Sequence, residues 1–289
     1  MRIATCTITR LGNKYLREYI EYYKSLGIDK MYFYDNNRPN EEKVANEIGD
    51  YTEDGFVEII DWGNKTGKVQ ELAYQDCYDK HGKEFDWIGM IDDDEYVTIE
   101  SGENLKSFLN KEIFFNRNGV CFPMLNYCDS DIIINESNKR LNVYTQLAFL
   151  DNIWTASFYK TFVRGNLNVR YLEVKDENNN VIFDSCCHVP IVDGIVGNNF
   201  VDCDGNLLVE DKANGLDITF NQYAVSNAFL KHIPTGCIDD FIKMKRRRGW
   251  PDTGSDMNNK FNYDYFCCYN KSTEEKLHYY IEMTKNFYE

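Results

Sequence analysis

From residue 3 to residue 91 the chain alternates short apolar, β-branched runs with helical patterns, and few architectures accept that rhythm. Residues 3–8 read as a strand. Residues 13–26 read as a helix with Tyr15, Leu16, Tyr19, Ile20 and Tyr23 on one face, and Gly27 follows where a C′ glycine belongs. A second strand at 30–35 breaks at the turn NNRPN and leads to a short helix at 41–48. A third strand at 56–60 ends at Asp61. A helix at 68–80, with Val69, Leu72, Ala73 and Cys77 inward, precedes a fourth strand at 86–91. This order predicts an α/β fold, an open and mainly parallel sheet flanked by helices, Rossmann-like in its N-terminal half. Ligands of such sheets bind beyond the carboxyl ends of the strands, where Asp35, Asp61 and the run Asp92, Asp93, Asp94, Glu95 stand.

After about residue 125 the rhythm is lost. Strand-like runs at 147–150, 158–163 and 180–183 lie between polar loops. Two helices close the chain: 237–248, capped by Thr235 and stopped by Gly249-Trp250-Pro251, and 272–287, opened by the capping box Ser272-x-x-Glu275.

A chain of 289 residues can bury roughly three quarters of its unfolded surface in one large domain. Its net charge of −15 argues against non-specific nucleic-acid binding, which needs cationic surface to displace counterions. Any polyanionic ligand must therefore be met by a local basic cluster or a metal. The ten Cys lack paired CxxC spacings and read as reduced thiols. No secretory signal and no run of roughly 18 apolar residues is visible, so the expected location is cytoplasmic, with peripheral membrane contact left open.

Four consecutive acids at a strand end repel one another unless water or a cation neutralises them. A bare D-x-D is more often a solvated turn, but apolar runs flank this one on both sides. Alternate residues of an extended segment share a face, which pairs Asp92 with Asp94 and turns Asp93 and Glu95 away. Two such carboxylates suit a hard divalent ion, Mn2+ or Mg2+, shared with phosphate oxygens. The strong basic cluster, KMKRRR at 243–248, puts Lys243, Arg246 and Arg247 on neighbouring helical positions able to face a diphosphate, with Arg248 beside them. Of four His, His81 and His278 read as structural, while His188 and His232 are open to metal ligation.

Several segments, in order, resemble nucleotide-sugar glycosyltransferases of the GT-A fold, in particular the family 2-like and family 92-like group. YLREYIEYYKSLGID at 15–29 and YFYDNN at 32–37 look like its opening helix and nucleotide-contacting strand end. QELAYQDC at 70–77 and WIGMIDDDEYV at 87–97 are similar to its Q-x-x-A-x-x-D-C and W-I-x-x-I-D-x-D-E-[FY] motifs. Lys160 in SFYKTFVR resembles the start of K-x-x-x-R. HIPTGCIDDFIKMKRRRG at 232–249 resembles H-Y-x-x-K-S-x-E-E-F-x-x-K-x-x-R-G. The chain departs from the group at Leu11-Gly12, where Asn-Glu is usual, and at Ile-Pro-Thr-Gly after His232.

The resemblance implies one domain, 1–289, with a nucleotide-sugar-binding half (1–125), an acceptor-side half (126–230) and closing helices (231–289). It implies a Mn2+- or Mg2+-dependent, inverting hexosyl transfer, of the kind used in polysaccharide biosynthesis, from a UDP-sugar to a glycan, glycolipid or protein-linked sugar. Asp92 would contact the ribose or metal, Asp94 would bind the metal at the UDP phosphates, and His232 would complete the ligand set. Asp35, Asn36, Gln70, Asp93, Lys160, Lys243, Arg246, Arg247 and Arg248 are the expected nucleotide-sugar contacts. An inverting transfer also needs a base for the acceptor hydroxyl, with Asp129, Asp131 and Asp184 as candidates.

A haloacid-dehalogenase phosphatase would want Thr or Val where Tyr96 stands, and would place the acids after the first strand. A calcium loop would need a central Gly, and a glycoside hydrolase would leave the basic helix unexplained. The non-enzymatic alternative is a nucleotide- or sugar-binding module on a degenerate transferase scaffold.

Overall fold

The structure is a computed structural model that describes residues 1–148, 159–172, 174–175, 181–183, 188–207, 210–211, 215–216, 227–248 and 261–285. The first half follows the expected rhythm: β1 (Ile3–Thr9), α1 (Leu16–Ser25), β2 (Lys30–Asp35), α2 (Val44–Ile48), β3 (Val57–Asp61), α3 (Val69–His81) and β4 (Trp87–Met90). β5 (Glu95–Ile99), α4 (Leu105–Leu109), β6 (Gly119–Asn126) and β7 (Tyr159–Arg164) follow. Among the described residues nine strands form one sheet, in the order β3-β2-β1-β4-β7-β6, then the Ala228–His232 strand and β5. The Phe200–Asp202 strand pairs with β6 in parallel.

β1, β2, β3 and β4 are parallel, whereas β7 runs antiparallel to both β4 and β6. The irregular second half thus extends the same sheet, the mixed α/β organisation expected of the GT-A type. Its remaining described strands are two- and three-residue pieces, such as Ile191–Val192 between Val169–Arg170 and Ile195–Val196.

Period-2 alternation sends neighbouring strand residues to opposite faces, and both faces are covered. Ile3, Met31 and Phe33 pack with Leu16, Ile20 and Tyr23 of α1. Ala4, Cys6, Tyr32 and Tyr34 pack with Ala73, Tyr74 and Cys77 of α3. Burial of each large side chain contributes about 1.5–3 kcal/mol. α1 is rich in Tyr because it crosses backbone that needs donors: Tyr22 donates to the Val97 carbonyl at 2.7 Å and Tyr23 to the Glu95 carbonyl at 2.9 Å. Those two bonds tie α1 to β5.

The element boundaries differ from expectation for local reasons. The helix expected from residue 41 starts at Val44, because Glu41 is occupied by Arg10 and the Val44 N–H is taken by Asp35 Oδ2 at 2.9 Å. The last helix, α7 (Glu274–Thr284), is capped by Thr273 instead of Ser272. Thr273 Oγ1 accepts the Lys276 N–H, while the Ser272 hydroxyl pairs with that of Tyr263. Between them lie α5 (Ile238–Asp240) and α6 (Tyr263–Cys267), the latter without an expected counterpart. Thr235 makes no cap: Cys237 stands at the N-cap of α5, and the Thr235 hydroxyl bonds instead to Gly236 and Asn270. The expected stop at Gly249-Trp250-Pro251 and the helix end at residue 287 lie outside the described residues.

Candidate functional site

The acids Asp92–Glu95 form a turn and not an extended segment, closed by the Glu95 N–H on the Asp92 carbonyl at 3.1 Å. The expected two-faced split is replaced by four separate environments. Asp92 Oδ2 lies 3.0 Å from the ammonium of Lys160, and Oδ1 accepts from Gln70 Nε2 at 2.7 Å and from the Tyr74 hydroxyl. Asp93 accepts the Thr9 hydroxyl, while its carbonyl accepts Arg140 Nη1 at 3.1 Å. Asp94 stands between His232 and Lys245. Glu95 is buried, its Oε2 accepting the Asp92 N–H at 2.9 Å, with Lys160 at 3.7 Å.

A cleft of about 740 Å³, counting its open mouth, lies at the carboxyl ends of β1, β2 and β4. It brings together Asn36, Gln70, Asp92, Asp93, Asp94, His232 and Arg248, and adds Arg10, Arg38, Lys65 and Lys245. Lys160 is fully buried behind its wall. Asp35 does not line the cleft. Its carboxylate holds the turn and α2 by accepting from Asn37 N, Asn37 Nδ2 and Val44 N.

The basic helix is not a regular α-helix. After the short α5, residues Phe241–Arg246 form a π turn, a feature that frequently marks functional sites. It changes which basic residues face the cleft. Lys245 and Arg248 line it, Arg246 is buried and donates to the Phe261 carbonyl at 2.9 Å, Lys243 pairs with Asp239 at 2.8 Å, and Arg247 is exposed outside the cleft. Lys245 was absent from the expected contacts, although the spacing K-x-x-R-G also fits Lys245, Arg248 and Gly249. That fit requires one more residue after His232 than the motif has, which is the kind of insertion a π turn absorbs.

The Ala228–His232 strand sets His232 opposite Glu95 in antiparallel register and opposite Asn126 in parallel register. Asp94, Glu95 and His232 consequently offer one ligand atom each within 4.8 Å of one another. The His232 Nδ1–H donates to Asn126 Oδ1 at 2.6 Å in the tautomer this pairing requires, which leaves Nε2 facing Asp94 Oδ1 at 3.7 Å. Desolvation pushes the imidazole down to about 4, Asp94 opposing and Lys245 assisting, so Nε2 keeps its lone pair at neutral pH. Burial raises Asp94, but Lys245 and then His232 more than offset it and hold the carboxyl well below the usual range. This donor set fits a divalent ion. It differs from the expected one: Asp92 already has partners on both oxygens, and Glu95 takes its place in the group.

Other candidates lie elsewhere. Asp129 is buried against Lys276 at 2.6 Å, and Asp131 is an exposed acid 3.4 Å from the same ammonium, both outside the cleft. Asp184 lies outside the described residues. The His188 ring pairs with the Tyr159 carbonyl and does not line the cleft.

The departure at Leu11-Gly12 has a packing reason. A Cβ on Gly12 would lie 2.1 Å from Asp93 Oδ2 and 2.7 Å from Thr9 Oγ1, so only glycine leaves room for that pair. Gly12→Ala should displace Asp93 and cost about 1–3 kcal/mol, measurable by denaturant unfolding. An unchanged midpoint would mean that the loop yields without strain.

The sheet and its cleft define an α/β protein whose strand ends bring cationic side chains beside a carboxylate–imidazole group. The sequence profile of glycosyltransferase family 92 matches residues 4–164, and the chain belongs to that family. A family 92 protein of Ricinus communis is 25% identical over 108 residues, covering 37% of this chain and 19% of that protein. One from Oryza sativa subsp. japonica is 27% identical over 108 residues, covering 37% and 18%. The chain therefore aligns with about a fifth of the length of these relatives. Among solved structures, S. aureus TarS 1–349 in complex with UDP-GlcNAc is similar at a TM-score of 0.36 and 11% identity, over 70% of this chain and 58% of that one. TarS 1–349 in complex with UDP gives 0.34 and 12%, over 57% and 47%. No helix among the described residues is long and apolar enough to cross a membrane.

Proposed function

We propose that this chain is a divalent-metal-dependent glycosyltransferase that moves a hexosyl group from a UDP-sugar to a hydroxyl of a glycan, glycolipid or protein-linked sugar. The observation that carries the reading is the coincidence, in a family 92 chain, of Asp94 and His232, with buried Glu95 behind them, and of Lys245 and Arg248 in one cleft at the strand ends. Asp94 and His232, with Glu95 beside them, would hold Mn2+ or Mg2+, which when bound supplies Lewis-acid stabilisation of the departing diphosphate. Lys245 and Arg248 add fixed positive charge on the same side, where charge develops as the glycosidic bond breaks. Asp92, fixed by Lys160, Gln70 and Tyr74, presents a pre-oriented carboxylate to the ribose. Asn36 and Arg38 line the cleft near the ends of β1 and β2, in position for the base.

An inverting course requires a general base at the acceptor hydroxyl, normally an Asp or Glu. Asp129 is held by Lys276 and Asp131 lies outside the cleft, while Asp184 lies outside the described residues. The test is release of UDP from a panel of UDP-sugars, with Mn2+ and with EDTA. Turnover that disappears in EDTA and returns with Mn2+ supports the reading, and metal-independent turnover rejects it. UDP binding without turnover on any donor would favour the binding module.

A further inference from the structure

The two carboxylate oxygens of Asp94 face different cations. Oδ1 looks toward His232 Nε2, and Oδ2 lies 3.4 Å from Lys245 Nζ. The ammonium is not a loose surface charge: its side chain is 14% exposed, it also donates to the Pro234 carbonyl, and the π turn fixes the backbone that carries it. Before any donor arrives, the acid best placed to ligate a divalent ion already has a cation beside it.

We infer that Lys245 makes metal binding at this site conditional on the diphosphate. The inference rests on the proposed metal-dependent reading. A divalent ion at Asp94 Oδ1 and an ammonium at Oδ2 repel each other across one carboxylate, and a low-dielectric cleft strengthens that repulsion. A diphosphate brings two negative charges between them, so the pair that competed for Asp94 comes to share the ligand. Metal and nucleotide then bind with positive coupling, and the coupling is reciprocal. Arg248 adds to the same field, but Lys245 is the cation that contacts the ligand acid itself.

The experiment measures Mn2+ affinity by electron paramagnetic resonance, with and without UDP, for the wild type, Lys245→Gln, Lys245→Met and Lys245→Arg. Without UDP, the neutral variants should bind Mn2+ about tenfold or more tightly than the wild type, while Lys245→Arg stays close to it. With Mn2+ saturating, the neutral variants should bind UDP about tenfold more weakly, so that the Mn2+–UDP coupling factor falls to what direct contact between ion and diphosphate alone supplies. A merely structural lysine would weaken both affinities together. Equal Mn2+ affinity in wild type and both neutral variants overturns this inference alone. Absence of Mn2+ binding in every protein, with or without UDP, overturns the metal reading and this inference with it.

Discussion

On the proposed metal-dependent reading, Asp94→Asn should lower Mn2+-stimulated UDP release by about a hundredfold to a thousandfold while the fold survives. The carboxylate is the hinge between His232 on one side and Lys245 on the other, and the amide keeps its shape without its charge. The size of the loss follows from removing a charged ligand of the divalent ion that would stabilise the departing diphosphate. Circular dichroism should match the wild type, because Asp94 is not part of the hydrophobic clusters. Turnover within a few-fold of wild type would remove Asp94 from the machinery and the metal reading with it.

Lys160→Met, by contrast, acts first on stability. The ammonium is fully buried between Asp92 at 3.0 Å and Glu95 at 3.7 Å, with the Tyr74 hydroxyl at 3.4 Å. Burial, with Asp92 and Asp94 alongside, already pushes Glu95 well above the ordinary carboxylate range, against the pull of Lys160. Without the lysine Glu95 is pushed further toward its neutral form, and Asp92 is left without its neutralising partner. Removing one member of such a buried pair costs about 3–5 kcal/mol, a fall of roughly 10 °C in Tm for a chain of this size. The double variant Lys160→Met with Asp92→Asn should recover much of that loss, because it removes the stranded charge as well. Additive destabilisation in the double variant would show that Lys160 stabilises by packing its stem and not by pairing its charge.

Much of the N-terminal half was legible because period-2 and helical patterns are local. β2 spans residues 30–35 as the sequence indicates, and Gly27 takes the left-handed φ of +88° that a C′ glycine supplies. The acid cluster was legible as a charge problem but not as a geometry. Whether four residues run straight or turn depends on the partner strand waiting for Glu95, which lies more than a hundred residues downstream. The basic helix failed for a related reason: a 3.6-residue period selects Lys243, Arg246 and Arg247, whereas the π turn presents Lys245 and Arg248. Arg10 and Arg38 are isolated cations and Arg140 stands beside Lys139 alone, so none gave a local signal, and their roles are set by tertiary packing. Lys160 was named through the resemblance alone, and its burial beneath the acids is visible only once β7 lies beside β4.

The contact between Arg10 Nη1 and the Arg248 carbonyl, at 3.2 Å, spans nearly the whole chain. It sets an order in time for the newly made protein. During synthesis, β1 to β4 can assemble as soon as their own residues emerge, but the acid turn then faces solvent without His232, Lys245 or Arg248. Until the segment that follows the Ala228–His232 strand has left the ribosome and docked, the emerging chain holds an acidic edge with no counter-charge on its far side. The cleft cannot be complete before Arg248 has emerged, so until then the acid turn waits without the cations that face it.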